Sequence, residues 1–183
     1  MVWGTSWTMI LSDRDIRIAL DYKEIEISPM PSDDAFQPSS IDLRLGDGFL
    51  SIDGTKLSEK AITVKPNDFL LASTLESIEL PNGIVAKLEG KSSLGRKGIF
   101  VHVTAGYVDP GWKGRLTLEI YNASSEPYIL TSGSKICQIR FMRLSSPVDR
   151  MYGDPALGNH YQNSEGTRAS YAESRKKKQS EIS

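Results

Sequence analysis

One cysteine, two histidines and a net charge of −1 in 183 residues exclude several kinds of protein at once. A single thiol, Cys137, cannot build an internal disulfide framework, and its isolation suits a reducing, cytoplasmic setting. The balance of 22 basic against 23 acidic residues provides no bulk field to attract nucleic acid. No apolar run is long enough to span a membrane, and the opening MVWGTSWT lacks the charged start and apolar stretch of a signal peptide. What remains is a globular chain, 39% apolar, large enough to bury one proper core. Neither nucleic acid nor membrane is expected as a partner.

A second methionine, Met9, begins MILSDRDI, so residues 1–8 read as an extension that contributes little to the fold. Ser12 followed by Asp15 has the spacing of a capping box, and Leu11 can staple onto Ile16. A short helix is therefore expected, ending near Tyr22, with Pro29, Pro31 and Pro38 preventing its continuation. From Ser40 the period changes to two: Ile41, Leu43 and Leu45 alternate with Asp42 and Arg44, a half-buried strand. Further strand-like runs cover residues 62–64, 69–73, 77–80, 84–89, 99–104, 115–121, 128–130 and 135–144. Between them stand turn signals such as Asp53-Gly54, Pro81-Asn82-Gly83 and Asp109-Pro110-Gly111. Many short strands with little helix predict a mainly β domain over 9–150, a sandwich, barrel or jelly roll. Residues 151–183 form a polar tail ending in the basic run Arg175–Lys178. That tail reads either as a frayed terminus or as a segment closing over an anionic ligand.

The chemistry concentrates between Gly90 and Asn122. Lys91 and Arg96 bracket Ser92, Ser93, Leu94 and Gly95, a combination of hydroxyls, cations and a permissive glycine. It reads as a phosphate cradle or as a surface hairpin turn, and it is not a Walker A loop. On 115–121, Leu116, Leu118 and Ile120 point one way while Thr117, Glu119 and Tyr121 point the other. Glu119 is thus in solvent or in a pocket, and in a pocket it is placed to act as a general base. Asp109 precedes a turn and has turn capping as its ordinary role. His102 falls on the opposite face from Ile99, Val101 and Val103, where a structural histidine is expected. A zinc deaminase site is not expected, because H-x-E and P-C-x-x-C are both missing.

MILSDRDI, Gln37-Pro38-Ser39-Ser40-Ile41-Asp42-Leu43-Arg44-Leu45 and GKSSLGRKGIFVHVTAGYVDPGWKGRLTLEIYN together resemble the dCTP deaminases of the dUTPase-like superfamily. The resemblance runs in register from about Met9 to Ser170. It implies a dUTPase-like β-barrel or jelly roll with a short N-terminal helix, assembled as a homotrimer with active sites between subunits. It also implies deamination of dCTP without a catalytic metal, magnesium arriving with the triphosphate. Glu119 matches the catalytic glutamate that activates water for attack on C4. Lys91, Ser92, Ser93, Leu94, Gly95 and Arg96 match the region near the reaction centre and phosphates. Asp109 matches the aspartate of the sugar region, Thr117 and Leu118 the base pocket, and the Ala105 backbone the water site. Gln138 and Tyr152 match further nucleotide contacts.

Thr104-Ala105-Gly106-Tyr107 resembles members that also cleave the α–β phosphate bond, since purely deaminating members often carry a bulkier residue in place of Gly106. The expected product is accordingly dUMP with pyrophosphate, with Asp109 also orienting the second water. The alternatives are a deaminase that stops at dUTP, a dUTP pyrophosphatase, and a non-catalytic nucleotide sensor. The departures lie in the tail, where His160-Tyr161 and Ser164 replace a lysine-tyrosine and a glutamine, and Tyr171 replaces an arginine. These positions belong to the lid over the triphosphate. A protonated His160 could stand in for the lysine, which would make activity pH-sensitive.

Overall fold

A computed structural model describes residues 9–58 and 60–172. The extension 1–8 and the basic run Arg175–Lys178 lie outside the described residues. The strands follow in chain order: β1 (Met9–Ile10), β2 (Glu26–Ser28), β3 (Phe36–Gln37), β4 (Ser40–Arg44), β5 (Phe49–Leu50), β6 (Lys56–Ser58) and β7 (Ala61–Val64). Next are β8 (Phe69–Glu79), β9 (Ile84–Gly90), β10 (Ile99–Phe100), β11 (Tyr107–Val108), β12 (Lys113–Asn122), β13 (Tyr128–Thr131) and β14 (Lys135–Arg143). The helix α1 (Asp13–Asp21) precedes β2, and a single turn, α2 (Ser92–Gly95), follows β9.

The N-terminal helix forms for the reason its spacing predicts. Ser12 Oγ accepts from Asp15 N at 3.3 Å while Asp15 Oδ2 accepts from Ser12 N at 3.2 Å, a complete capping box. Leu11 and Ile16 are both buried, and the cap at the other end is Tyr22.

Two six-stranded antiparallel sheets form the body. One runs β11-β9-β14-β4-β3 with β1 continuing along β14; the other runs β10-β12-β8-β5-β6 with β2 on the far end of β8. A two-stranded ribbon, β13-β7, stands beside them. Apolar residues from both sheets share one core, with Leu43, Phe141 and Leu88 from the first and Ile78, Leu118 and Ile120 from the second all under 2% exposed. Each such side chain contributes about 1.5–3 kcal/mol through burial.

Two expected runs differ in extent. The runs 69–73 and 77–80 merge into one eleven-residue strand, β8, which ends at Glu79, one residue short of Leu80, and carries a register shift opposite Arg115–Thr117. The run 99–104 is a strand only through Phe100. Beyond it the backbone leaves the ladder and its amides turn toward β12, where Glu119 takes them.

After β14 the chain returns as a strap across the second sheet. Asn163 N donates to Lys113 O at 2.8 Å, Arg115 N donates to Ser164 O at 2.7 Å, and Gly114 and Ser164 form a parallel bridge. Gly114 makes this approach possible. Its φ is +134°, and a Cβ there would stand 2.6 Å from Ser164 N. Gln162 ties the strap further, donating to Gly111 O at 2.8 Å and accepting from Lys113 N at 3.0 Å.

Candidate active site

β12 places Glu119 opposite Leu71 of β8, with its carboxylate on the face away from Leu118 and Ile120. Its Oε2 accepts from Val103 N at 2.9 Å, Thr104 N at 2.8 Å and Ala105 N at 3.4 Å. Three consecutive amides thus converge on one carboxylate oxygen and leave Oε1 for another partner. This resolves the two readings of Glu119: the residue is half-buried and lines a cavity of about 400 Å³.

Ala105, Tyr107, Asp109, Thr117 and Tyr152 line the same cavity, with apolar walls from Leu71, Leu88, Trp112 and Leu116. Burial pushes the Asp109 carboxyl above the ordinary carboxylate range. Burial likewise raises the Tyr152 hydroxyl, opposed by hydrogen bonds from the Tyr161 backbone and reinforced by the Asp109 charge. The tyrosine therefore stays neutral as a donor beside an acid. The turn expected at Asp109 is also present, Trp112 N donating to Asp109 O at 3.1 Å.

Gly106 is buried, and its carbonyl accepts from Leu88 N at 2.7 Å. A Cβ there would stand 3.2 Å from His102 Nδ1 and from Leu88 O. Glycine thus allows the loop 103–106 to lie close against His102 and β9. His102 itself is half-buried.

The expected cradle is not part of this cavity. Ser92–Gly95 form a helical turn instead of an open loop, and none of Lys91–Arg96 lines the space beside Glu119. Ser92, Ser93, Gly95 and Arg96 are exposed, while the Leu94 side chain is in the core, leaving only its backbone for a ligand. Arg96 borders a separate depression with Lys97 and Ser124–Tyr128. Leu118 is also a core residue, so any contact it makes in the base pocket is through its backbone. Gln138 lies on β14, its Nε2 donating to Asp42 Oδ1 at 3.1 Å.

The strap closes one side of the cavity through Tyr161 and Ser170. Arg168 N donates to Thr117 Oγ1 at 3.3 Å, and Tyr171 N donates to the Tyr161 hydroxyl at 2.9 Å. Two of the departing tail residues meet here: the His160 and Tyr171 rings stack with centroids 3.6 Å apart at 14°. The His160 ring faces Tyr171 and is not part of the cavity wall. Ser164 is buried and donates to Tyr161 O at 2.6 Å, a role inside the strap.

Sequence reasoning missed Asp42, which its alternation assigns to the polar face. The residue is on that face but buried, with Lys91 Nζ 2.6 Å from its Oδ1. Its partners are 49 and 96 positions away in the chain, so no local signal announces them.

The fold class comes first from solved structures. A dUTPase of Staphylococcus bacteriophage 80alpha aligns with TM-score 0.52 at 14% identity, over 70% of this chain and 95% of that one, so the architecture is dUTPase-like. The 2'-deoxycytidine 5'-triphosphate deaminase from Agrobacterium tumefaciens aligns more closely, with TM-score 0.64 and 26% identity over 74% of this chain. This chain spans 49% of that structure's length.

The family follows from the sequence. A profile described as dCTP deaminase-like matches residues 10–144, and the chain belongs to that family. A protein of Methanosphaera stadtmanae named "dCTP deaminase, dUMP-forming" is 41% identical, the match covering 88% of this chain and 92% of the relative. One of the same name from Dictyoglomus thermophilum is 43% identical, over 88% and 94%.

Proposed function

We propose that this chain hydrolyses dCTP to dUMP, ammonia and pyrophosphate in two successive steps. The observation that carries the reading is the Glu119 carboxylate, fixed by three backbone amides in a cavity that also holds Thr117 and Asp109. Relatives above 40% identity bear the name of this activity.

In the first step a water bound near the Ala105 backbone attacks C4 of the cytosine. Glu119 takes the water's proton and delivers it to N3, and collapse of the tetrahedral centre releases ammonia after a second proton transfer. A base of this kind contributes about 10²–10⁴-fold. The amides on Oε2 hold the carboxylate in place, so its free oxygen meets the water in one geometry. Thr117 flanks the base, and Tyr152 donates to the nucleotide.

In the second step a further water attacks the α-phosphorus and pyrophosphate leaves, so dUTP becomes dUMP. Asp109 orients that water and holds the sugar. The close approach of the 103–106 loop to β9, which Gly106 permits, leaves room for this step. Magnesium enters with the triphosphate and neutralises part of its charge.

Ser92 and Arg96 are read as contacts at the reaction centre and phosphates. Their separation from the Glu119 cavity within one chain supports a homotrimer in which one subunit's α2 faces its neighbour's cavity. The strap 151–172 serves as the lid over the nucleotide.

Product separation after incubation with dCTP and magnesium tests the proposal. Ammonia with dUMP is the expected outcome, and Glu119→Gln removes both products while dCTP still binds. Accumulation of dUTP would reduce the enzyme to a deaminase. Hydrolysis of dUTP with no turnover of dCTP would reassign it to the pyrophosphatases.

A further inference from the structure

Asp42 is a buried carboxylate that the proposed reaction does not use. Its side chain is 3% exposed, although it lies on the face of β4 turned away from the core. Taking a charge out of water is costly unless its partners are well placed. Here Oδ1 accepts from Lys91 Nζ at 2.6 Å and from Gln138 Nε2 at 3.1 Å, and Lys135 Nζ stands 3.7 Å from Oδ2. The cluster joins β4, β14 and the entrance to α2, three segments far apart in the chain.

We propose that Asp42 is a positioning residue for nucleotide binding, presetting Lys91 and Gln138 before the triphosphate arrives. The inference rests on the reading of those two residues as nucleotide contacts. A free lysine has four rotatable bonds to order on binding, and ordering them in advance removes that cost from association. One ammonium N–H is committed to Asp42, leaving two donors in a fixed direction for an anionic ligand. The effect on Gln138 is orientational. An ionised carboxylate only accepts, so it must face the amide nitrogen, and the Gln138 oxygen is turned away as an acceptor. Without Asp42 the amide could rotate end for end.

A competing role has the opposite sign. A carboxylate that served only to neutralise Lys91 and Lys135 would weaken the local attraction for phosphate, and its loss would tighten triphosphate binding. A positioning carboxylate makes its loss weaken binding.

Steady-state kinetics with dCTP and magnesium separate the two. Asp42→Asn is expected to raise KM about tenfold, the scale of a lost charged hydrogen bond, with kcat within about threefold. Asp42→Glu keeps the charge but displaces it by one methylene. It should raise KM in the same direction and covers the case in which the asparagine variant does not fold. Lys91→Met should raise KM by itself, and combining it with Asp42→Asn should raise KM by less than the product of the two effects, because part of the Asp42 effect acts through Lys91. A lowered or unchanged KM in both Asp42 variants, with KM raised in Lys91→Met, would overturn the proposal. Fully additive effects would overturn it too, since Asp42 would then act independently of Lys91. An unchanged KM in Lys91→Met would instead remove the nucleotide-contact reading and this proposal with it.

Discussion

Asp109 lines the same cavity as Tyr152, and partial burial opposes its ionisation. The water-orienting role proposed for Asp109 needs the ionised form, so on that reading the raised pKa bears directly on the second step. Pyrophosphate release is expected to fall on the acid side at a pH above the usual carboxylate value of about 3.9. Asp109→Asn should abolish that release at every pH. The acid limb of a dUMP-formation profile with dUTP as substrate checks both. The linkage has the corresponding sign. A carboxyl whose pKa is higher folded than unfolded contributes stability below the unfolded value and loses it as pH rises through the folded one. The nucleotide-free Asp109→Asn protein should therefore melt slightly higher than wild type at pH 8, by differential scanning fluorimetry. Cys137 presents a simpler case: burial pushes its thiol far up, and it is enclosed by core residues. It should resist a disulfide reagent in the native protein and react fully in denaturant, which a colorimetric thiol titration reads. Glu119 was legible as the one acid on the polar face of an alternating strand. The amides of Val103 and Thr104 that hold it were not, because they come from a run that reads locally as strand. Asp42 was missed for a related reason: alternation identifies a face, and only tertiary partners decide whether that face is wet.

The loop 103–106 and the strap show where local pattern gives way at the scale of elements. Residues 99–104 have strand composition, yet the amides of Val103 and Thr104 bond a carboxylate instead of a neighbouring strand. The contact with Glu119 stands where a ladder would otherwise run. The single turn α2 was legible in its residues but not in its form, since the apolar Leu94 anchors it to the core. The strap depends on Gly114, where any side chain meets both a left-handed backbone and the Ser164 backbone. Gly114→Ala should displace the strap, destabilise the protein by about 1–3 kcal/mol and raise KM for dCTP. Tyr171→Ala, which removes the stack on His160, should raise KM while leaving the melting temperature nearly unchanged. An equal KM in Tyr171→Ala and wild type would mean that the stack does not hold the strap over the nucleotide.

At the scale of the whole molecule, the mainly β architecture was legible because turn signals punctuate short alternating runs, while the order of strands was not. β14 pairs with β4 and β9, and β12 pairs with β8, through contacts between distant segments that no local pattern specifies. The relation of α2 to the Glu119 cavity also belongs to this scale. If active sites lie between subunits, Arg96→Ala and Glu119→Gln are each inactive alone but recover activity when co-expressed. Mixed trimers then contain some sites with both native residues, and co-purified protein should recover a fraction of wild-type turnover. No recovery would mean that both residues serve a site within one chain. The strap has a consequence for synthesis. The residues that pair to form both sheets end at Arg143, whereas Tyr161 and Ser170 complete the cavity wall. A ribosome moving along this message therefore finishes the scaffold before it finishes the binding site. A chain released early, after Arg150 for instance, would carry the sheets but leave the cavity open on the side that Tyr161 and Ser170 close.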